Sequence, residues 1–146
     1  MMISLGADHR GYKYKEQIKQ MLADMGIQTE DFGCNSADSS DYSDHGIKAA
    51  EAVANGKADK GILICGSGNG MMMAANKVKG IRAGFAINPE MSGLARAHNN
   101  ANVLVLSEMY TPEAMLKGIV EAFLNTEFEG GRHARRINKI SDYEKG

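Results

Sequence analysis

Short, continuously apolar segments recur along this chain and alternate with segments of helical periodicity. MISLGA, GILIC and NVLVLS are apolar at nearly every position, which is typical of strands buried on both faces. Such strands, when separated by helices, require a parallel sheet with helices on both sides. The predicted fold is therefore α/β: a three-layer αβα arrangement around a doubly wound, five-stranded parallel sheet (Rossmann-like), in a single domain spanning residues 1–146.

The predicted element boundaries follow from periodicity and from helix start and stop signals. Gly26 is expected to end the first helix, Asp44 to cap the second, and Pro112 to lie in the first turn of the fifth. The predicted strands span residues 2–7, 27–32, 61–65, 81–86 and 102–107. The predicted helices span residues 11–25, 45–55, 69–78, 89–98 and 111–125, and a last helix follows Gly130 and Gly131. Residues 34–44 are expected to form a polar loop.

Charge and hydropathy exclude several classes of partner. A net charge of −1 creates no field that would attract nucleic acid or anionic lipid. No apolar run approaches the roughly 20 residues that a membrane span needs, and the first residues lack a secretory signal. The two cysteines, Cys34 and Cys65, make a poor disulfide framework, so a reducing, cytoplasmic setting is expected.

Ligands of doubly wound folds bind at the carboxyl ends of the strands, near a topological switch point. Asp8 and His9 follow the first predicted strand, and the stretch from Cys65 to Gly70 follows the third. Asn88 and the pair Ser107–Glu108 follow the fourth and fifth. These positions are the candidate functional residues that topology alone indicates.

The loop GSGNG, residues 66–70, either holds an anion against the following helix or is a tight strand–helix turn without a ligand. A dinucleotide fingerprint is excluded because Met71 replaces the third glycine. The same methionine excludes a phosphatase loop, which needs arginine there, and the Lys-Ser/Thr pair of a P-loop is absent. Any anion held by this loop is therefore not bound as in these nucleotide and phosphatase motifs.

Cys65 is either a small core hydrophobe or a reactive thiol. Its place beside backbone N–H groups and a helix N-terminus is expected to lower its pKa from about 8.5 and to favour the thiolate, a base or nucleophile. Ser67 either donates a hydrogen bond to the same ligand or caps the helix.

Histidine and arginine provide further candidates. His98 either serves catalysis or makes a charge–dipole contact at the end of its helix. Arg132 and Arg136 are four residues apart and share a helical face, which suits a phosphate but equally a solvated surface or a subunit contact. The histidines lack zinc-ligand spacing, so no metal is inferred.

Six motifs in chain order resemble the type B ribose-5-phosphate isomerases, whose superfamily includes galactose-6-phosphate isomerase subunits. They are DHRG, DY, GILICGSGNG…AANK, IRA, ARAHNNANVL and FEGGRHARRI, and together they cover nearly the whole chain. The resemblance implies interconversion of ribose 5-phosphate and ribulose 5-phosphate without metal or organic cofactor. It also implies a homodimer or tetramer with active sites shared between subunits, in which the helical segment 130–146 contacts a partner.

The resemblance also assigns roles to residues. Cys65 matches the catalytic base, and Met71 excludes the variant that uses a glutamate. Ser67 supplies a hydroxyl, and His98 matches the ring-opening histidine, assisted by Asp8 or Tyr42. The expected substrate-binding residues are His9, Tyr42, Gly66, Gly68, Asn69, Gly70, Asn99, Arg132 and Arg136.

This chemistry agrees with the reading from the residues. After ring opening, a base removes the C2 proton, and N–H groups of the glycine loop stabilise the enediolate, at about 3–4 kcal/mol per lost donor in comparable sites. Three alternatives stay open: a six-carbon substrate such as allose or galactose 6-phosphate, a sugar-phosphate sensor without turnover, and a nucleic-acid binder based on residues 132–139.

Overall fold

A computed structural model describes all residues, 1–146. Its five strands form one parallel sheet in the order β2-β1-β3-β5-β4. They are β1 (Met2–Ala7), β2 (Gln28–Asp31), β3 (Lys60–Cys65), β4 (Ala83–Phe85) and β5 (Val103–Ser107). The predicted fold class is confirmed.

Six helices follow or connect the strands. They are α1 (Tyr12–Asp24), α2 (Tyr42–Ala54), α3 (Asn69–Asn76), α4 (Pro89–Asn99), α5 (Leu116–Asn125) and α6 (Arg132–Lys145). None of them combines the length and the apolar character that crossing a bilayer requires.

Alternate residues of the central strands face two separate cores. Ile62 and Ile64 of β3 pack with α1, α4 and α5, whereas Leu63 and Cys65 pack with α2 and α3 on the opposite face. Side chains alternate across a strand with a period of two, so a run that reads as uniformly apolar supplies both cores. Cys65 therefore belongs to the α2–α3 face of the sheet.

Two predicted helix starts are wrong in detail. Helix α2 starts at Tyr42, with Asp41 at its N-cap, so Asp44 lies in the first turn and does not cap the helix. Pro112 precedes a short 3-10 helix over Glu113–Met115, and α5 begins only at Leu116. The predicted stop at Gly26 is correct, because α1 ends at Asp24 and Gly26 has φ +76°.

The topological switch point lies between β1 and β3. From β1 the chain proceeds to β2 on one side of the sheet, and then returns to β3 on the other side. The connections leave β1 in opposite directions, which opens a crevice at the carboxyl edge. Asp8 follows β1 and Cys65 ends β3, so both lie at this crevice.

Candidate active site

The loop from Gly66 to Gly70 curls around the sulfur of Cys65. Backbone N–H groups of Gly68, Gly70 and Met71 lie close enough to this thiol to favour its thiolate form and lower its pKa. The turn needs glycine at position 68, which has φ +90° and where a Cβ would collide with the ring of Phe85. The loop therefore directs backbone N–H groups towards the thiol.

Neighbouring strand β5 holds this loop in place. Ser107 Oγ donates to the carbonyl of Gly66 at 2.7 Å, and the Met109 N–H donates to the same oxygen at 3.0 Å. Ser67 does not cap α3, because Gly68 is the N-cap residue. Its Oγ accepts from the Asn69 N–H at 3.2 Å, and a pocket of about 440 Å³ opens beside both residues.

The pKa of Cys65 departs from the expectation. Burial raises it above the ordinary thiol value, and the negative charge of Asp8 acts in the same direction. The N–H groups of the loop favour the thiolate but do not outweigh burial, since the side chain is almost completely withdrawn from water. The predicted lowering is therefore wrong for the chain by itself, and the buried thiol is protonated near neutral pH.

Asp8 and His9 lie at the same edge. Asp8 is buried, and its Oδ1 accepts hydrogen bonds from the N–H groups of Arg10 and Gly11 at 3.0 and 3.1 Å. The carboxylate thus holds the turn that leads into α1. Nδ1 of His9 lies 3.2 Å from the Ser40 backbone nitrogen and 3.3 Å from its carbonyl oxygen, which leaves Nε2 as the nitrogen available to a ligand.

Tyr42 reaches the glycine loop from α2. A Cβ on Gly70 would lie 2.7 Å from the Tyr42 ring, so the glycine is required for this contact. The ring is exposed on its other side. The carboxyl edge therefore assembles Asp8, His9, Tyr42, Cys65 and the loop residues Gly66, Ser67, Gly68, Asn69 and Gly70.

The remaining predicted residues lie at the opposite edge of the sheet. Helix α4 starts at Pro89 after β4 and runs back to Asn99, just before β5 begins. His98 and Asn99 are therefore at the amino ends of the strands. Arg132 and Arg136 begin α6 beside them, where the Glu129 N–H donates to the carbonyl of Ala97 at 3.0 Å.

The length of the sheet separates these two groups. The six residues of β3 extend over about 16 Å at a rise of about 3.3 Å per residue. Cys65 and His98 therefore cannot act on the same sugar within one chain. Arg132, Arg136 and Asn99 are exposed and His98 is half-exposed, so this second group is available to another molecule.

His98 has two neighbours that the sequence analysis missed. Its ring stacks on that of His133, with centroids 4.3 Å apart and planes within 10° of parallel. Glu129 Oε2 lies 3.9 Å from His98 Nε2, and Glu129 Oε1 lies 3.6 Å from His133 Nε2. The spacing of four between Glu129 and His133 was the available signal, but nothing in the sequence indicated that α4 would end against it.

The possible metal-ligand atoms of His98, Glu129 and His133 all lie within 4.8 Å of one another, as a metal site would require. The stacked rings do not suit a shared ion. Each nitrogen lone pair lies in the plane of its own ring, so an ion in one plane lies a full stacking distance out of the other. The present geometry favours a histidine pair over a metal centre.

Residues 3–140 match the Ribose/Galactose Isomerase family. The chain is 40% identical to ribose-5-phosphate isomerase B of Escherichia coli, covering 98% of this chain and 96% of that protein. It superposes with a TM-score of 0.97 on ribose-5-phosphate isomerase B of Clostridium thermocellum, at 46% identity over 99% and 98% of the two chains. The enzyme from Mycoplasma genitalium with bound ribulose-5-phosphate has a TM-score of 0.94 and 43% identity, over 99% and 96% of the chains.

The match covers both edges of the sheet, including the cysteine loop and the helix that carries Arg132. This chain therefore belongs to the ribose/galactose isomerase family, as one of its type B ribose-5-phosphate isomerases.

Proposed function

We propose that this protein interconverts D-ribose 5-phosphate and D-ribulose 5-phosphate without a cofactor, as its single domain of residues 1–146. The observation that carries this proposal is the buried thiol of Cys65, which ends β3 at the switch point of the sheet and leads into the glycine loop. Named relatives with this fold act on ribose 5-phosphate, and one of them binds ribulose 5-phosphate. The six-carbon alternative is not favoured.

The proposed reaction begins with ring opening by His98, which passes a proton between the anomeric hydroxyl and the ring oxygen. Cys65 then removes the C2 proton of the open aldehyde and returns it to C1. Negative charge develops on the sugar oxygen, and the N–H groups of Gly68 and Gly70 stabilise it. Ser67 and Asn69 bind the neighbouring hydroxyl groups from the mouth of the loop.

Two copies of the chain build each site in this proposal. One copy supplies Cys65, the glycine loop, Asp8, His9 and Tyr42, and the other supplies His98, Asn99, Arg132 and Arg136 through its α4 and its C-terminal segment 130–146. The opposite-edge placement of the two groups supports this division. Binding the phosphate between His9 of one copy and the arginines of the other uses remote binding energy to orient C2 against the sulfur.

Assembly of two copies also supplies the positive charge that the protonated thiol of Cys65 lacks in the single chain. The arginines of the second copy bring positive charge to the carboxyl edge, and positive charge favours the thiolate. We further place the enzyme in the cytoplasm, since both cysteines are free and buried.

The test is Cys65→Ala, with Cys34→Ala as a matched control that removes the other buried thiol. Because an acid–base group contributes about 10²–10⁴-fold, Cys65→Ala should lower the rate by at least about a hundredfold, and Cys34→Ala should retain it. Both variants should keep the wild-type circular dichroism spectrum. Near-normal turnover by Cys65→Ala would refute the assignment of the base.

Substrate choice is tested on the wild type with chelator present. Catalytic efficiency should be highest with ribose 5-phosphate and lower with allose and galactose 6-phosphates. Higher efficiency with a six-carbon sugar would change the substrate, and binding without exchange of the C2 hydrogen would indicate a sensor.

A further inference from the structure

We propose that His133 and Glu129 are positioning residues for ring opening, which hold the imidazole of His98 in place and stabilise its protonated form. This inference rests on the proposed function, because ring opening is a step of that reaction. Neither residue touches the sugar in this arrangement; both act through His98.

His133 provides a rigid platform. It lies in the first turn of α6, is 7% exposed, and its N–H donates to the carbonyl of Gly130 at 3.1 Å. The nearly parallel rings at 4.3 Å remove rotational freedom from the half-exposed His98. An acid–base group held in one orientation needs less reorganisation when the sugar arrives.

Glu129 provides the charge. Its backbone is tied to α4 through the bond to Ala97, which keeps the carboxylate beside His98. The carboxylate spans both rings at 3.9 and 3.6 Å, and Nε2 of His133 is buried without a hydrogen-bond partner. A small movement of the carboxylate therefore forms a charge-assisted bond to either ring.

The surrounding charges decide which ring takes the proton. Burial lowers the pKa of His133, and the positive charges of Arg132, His98 and Arg136 lower it further, while Glu129 acts in the opposite direction. His133 is accordingly the ring less able to take a proton, and the more exposed His98 is the one left to exchange protons with the sugar. Two stacked imidazoles cannot both be protonated without strong repulsion.

The step is balanced without any further reactant. The C1–O4 bond breaks and the C1=O1 double bond forms, while one proton moves from O1 to O4. His98 accepts a proton and gives one back, and Glu129 stabilises the imidazolium between the two transfers. This resembles the support that a carboxylate gives to the histidine of a hydrolase triad.

The chemistry of the two sugars separates ring opening from the later proton transfer. Ribose 5-phosphate closes to a furanose and must be opened, whereas ribulose 5-phosphate cannot close through O5, because O5 carries the phosphate. Exchange of a C1 hydrogen of ribulose 5-phosphate with deuterium from solvent therefore requires Cys65 but no ring opening.

The experiment compares Glu129→Gln, His133→Ala and His133→Phe with the wild type in both assays. Glu127→Gln is the control, because Glu127 is an exposed carboxylate two residues away. Glu129→Gln and His133→Ala should lower kcat for ribose 5-phosphate by about tenfold or more and change ribulose exchange less than about twofold. His133→Phe keeps a flat ring and should recover part of the loss of His133→Ala, and Glu127→Gln should behave as wild type.

Unchanged ribose turnover in Glu129→Gln would overturn the inference, and so would an equal loss in both assays. If His133→Ala does not fold, the exposed Glu129 still carries the test. A wild type that neither isomerises ribose 5-phosphate nor exchanges ribulose 5-phosphate would instead refute the proposed function, and this inference with it.

Discussion

Mixing two inactive variants should restore activity. Cys65→Ala removes the base at the carboxyl edge, and His98→Asn removes the ring-opening group at the amino edge. The two positions are separated by about 16 Å of strand, so each variant damages a different half of the proposed shared site. Each should be inactive alone and fully folded.

The fraction of activity recovered follows from random pairing of the two variant chains. In an equimolar mixture about half of the dimers contain one chain of each kind, and each of these has one intact site and one doubly defective site. About a quarter of wild-type activity should therefore return after subunits exchange. The assay is ribose 5-phosphate turnover before and after the two variants are unfolded and refolded together.

A double variant carrying both changes provides the matched control. Mixed with an equal amount of wild type, it places one defect in each site of every mixed dimer, so activity should fall to about a quarter of an all-wild-type sample. A protein with complete sites in each chain would retain about half. The absence of any recovery in the first mixture would refute the shared site.

Three further predictions concern single residues. Asp8→Asn keeps the acceptor oxygen but removes a charge that raises the pKa of Cys65. Alkylation of the thiol by iodoacetamide should therefore reach its half-maximal rate at a lower pH than in wild type, and an unchanged midpoint pH would show that burial raises this pKa without Asp8. Gly11→Ala places a Cβ against the backbone of β3 and should cost about 3 kcal/mol in urea unfolding, whereas Gly93→Ala, with no atom closer than 3.7 Å, should cost nothing. The folded state lowers the pKa of His133 from 6.5, so the unfolded state binds more protons below that pH. The contribution of His133 to the free energy of unfolding is therefore complete above about pH 6.5 and falls as the pH drops below it. His133→Phe should flatten this part of the plot of stability against pH, and an equally steep plot would assign the loss to other groups.

The strands and the fold class could be predicted because burial on both faces leaves a continuous apolar run. The switch point then placed Asp8 and Cys65 together, since parallel strands end at one edge. Helix α2 begins three residues earlier than predicted, at Tyr42, whose ring packs on Gly70. That contact joins residues far apart in the chain and leaves no local pattern.

The pKa of Cys65 shows why the spacing of residues in the sequence was insufficient to predict the protonation of the thiol. Position along the chain correctly indicated the N–H groups, which favour the thiolate. It did not indicate the depth of burial, which acts in the opposite direction and is larger. Only the packing of α2 and α3 over the strand determines that balance.

By itself the sequence determined the family, the parallel sheet and the residue types that the chemistry needs. Those properties depend on short-range periodicity and on motifs whose residues are contiguous in the sequence. The tertiary structure decided that Cys65 and His98 lie at opposite edges, because a helix that follows a parallel strand must run back along the sheet. It also stacked His133 on His98 and brought Glu129 to both rings, a contact between α4 and the segment that enters α6, which no spacing within α4 encodes.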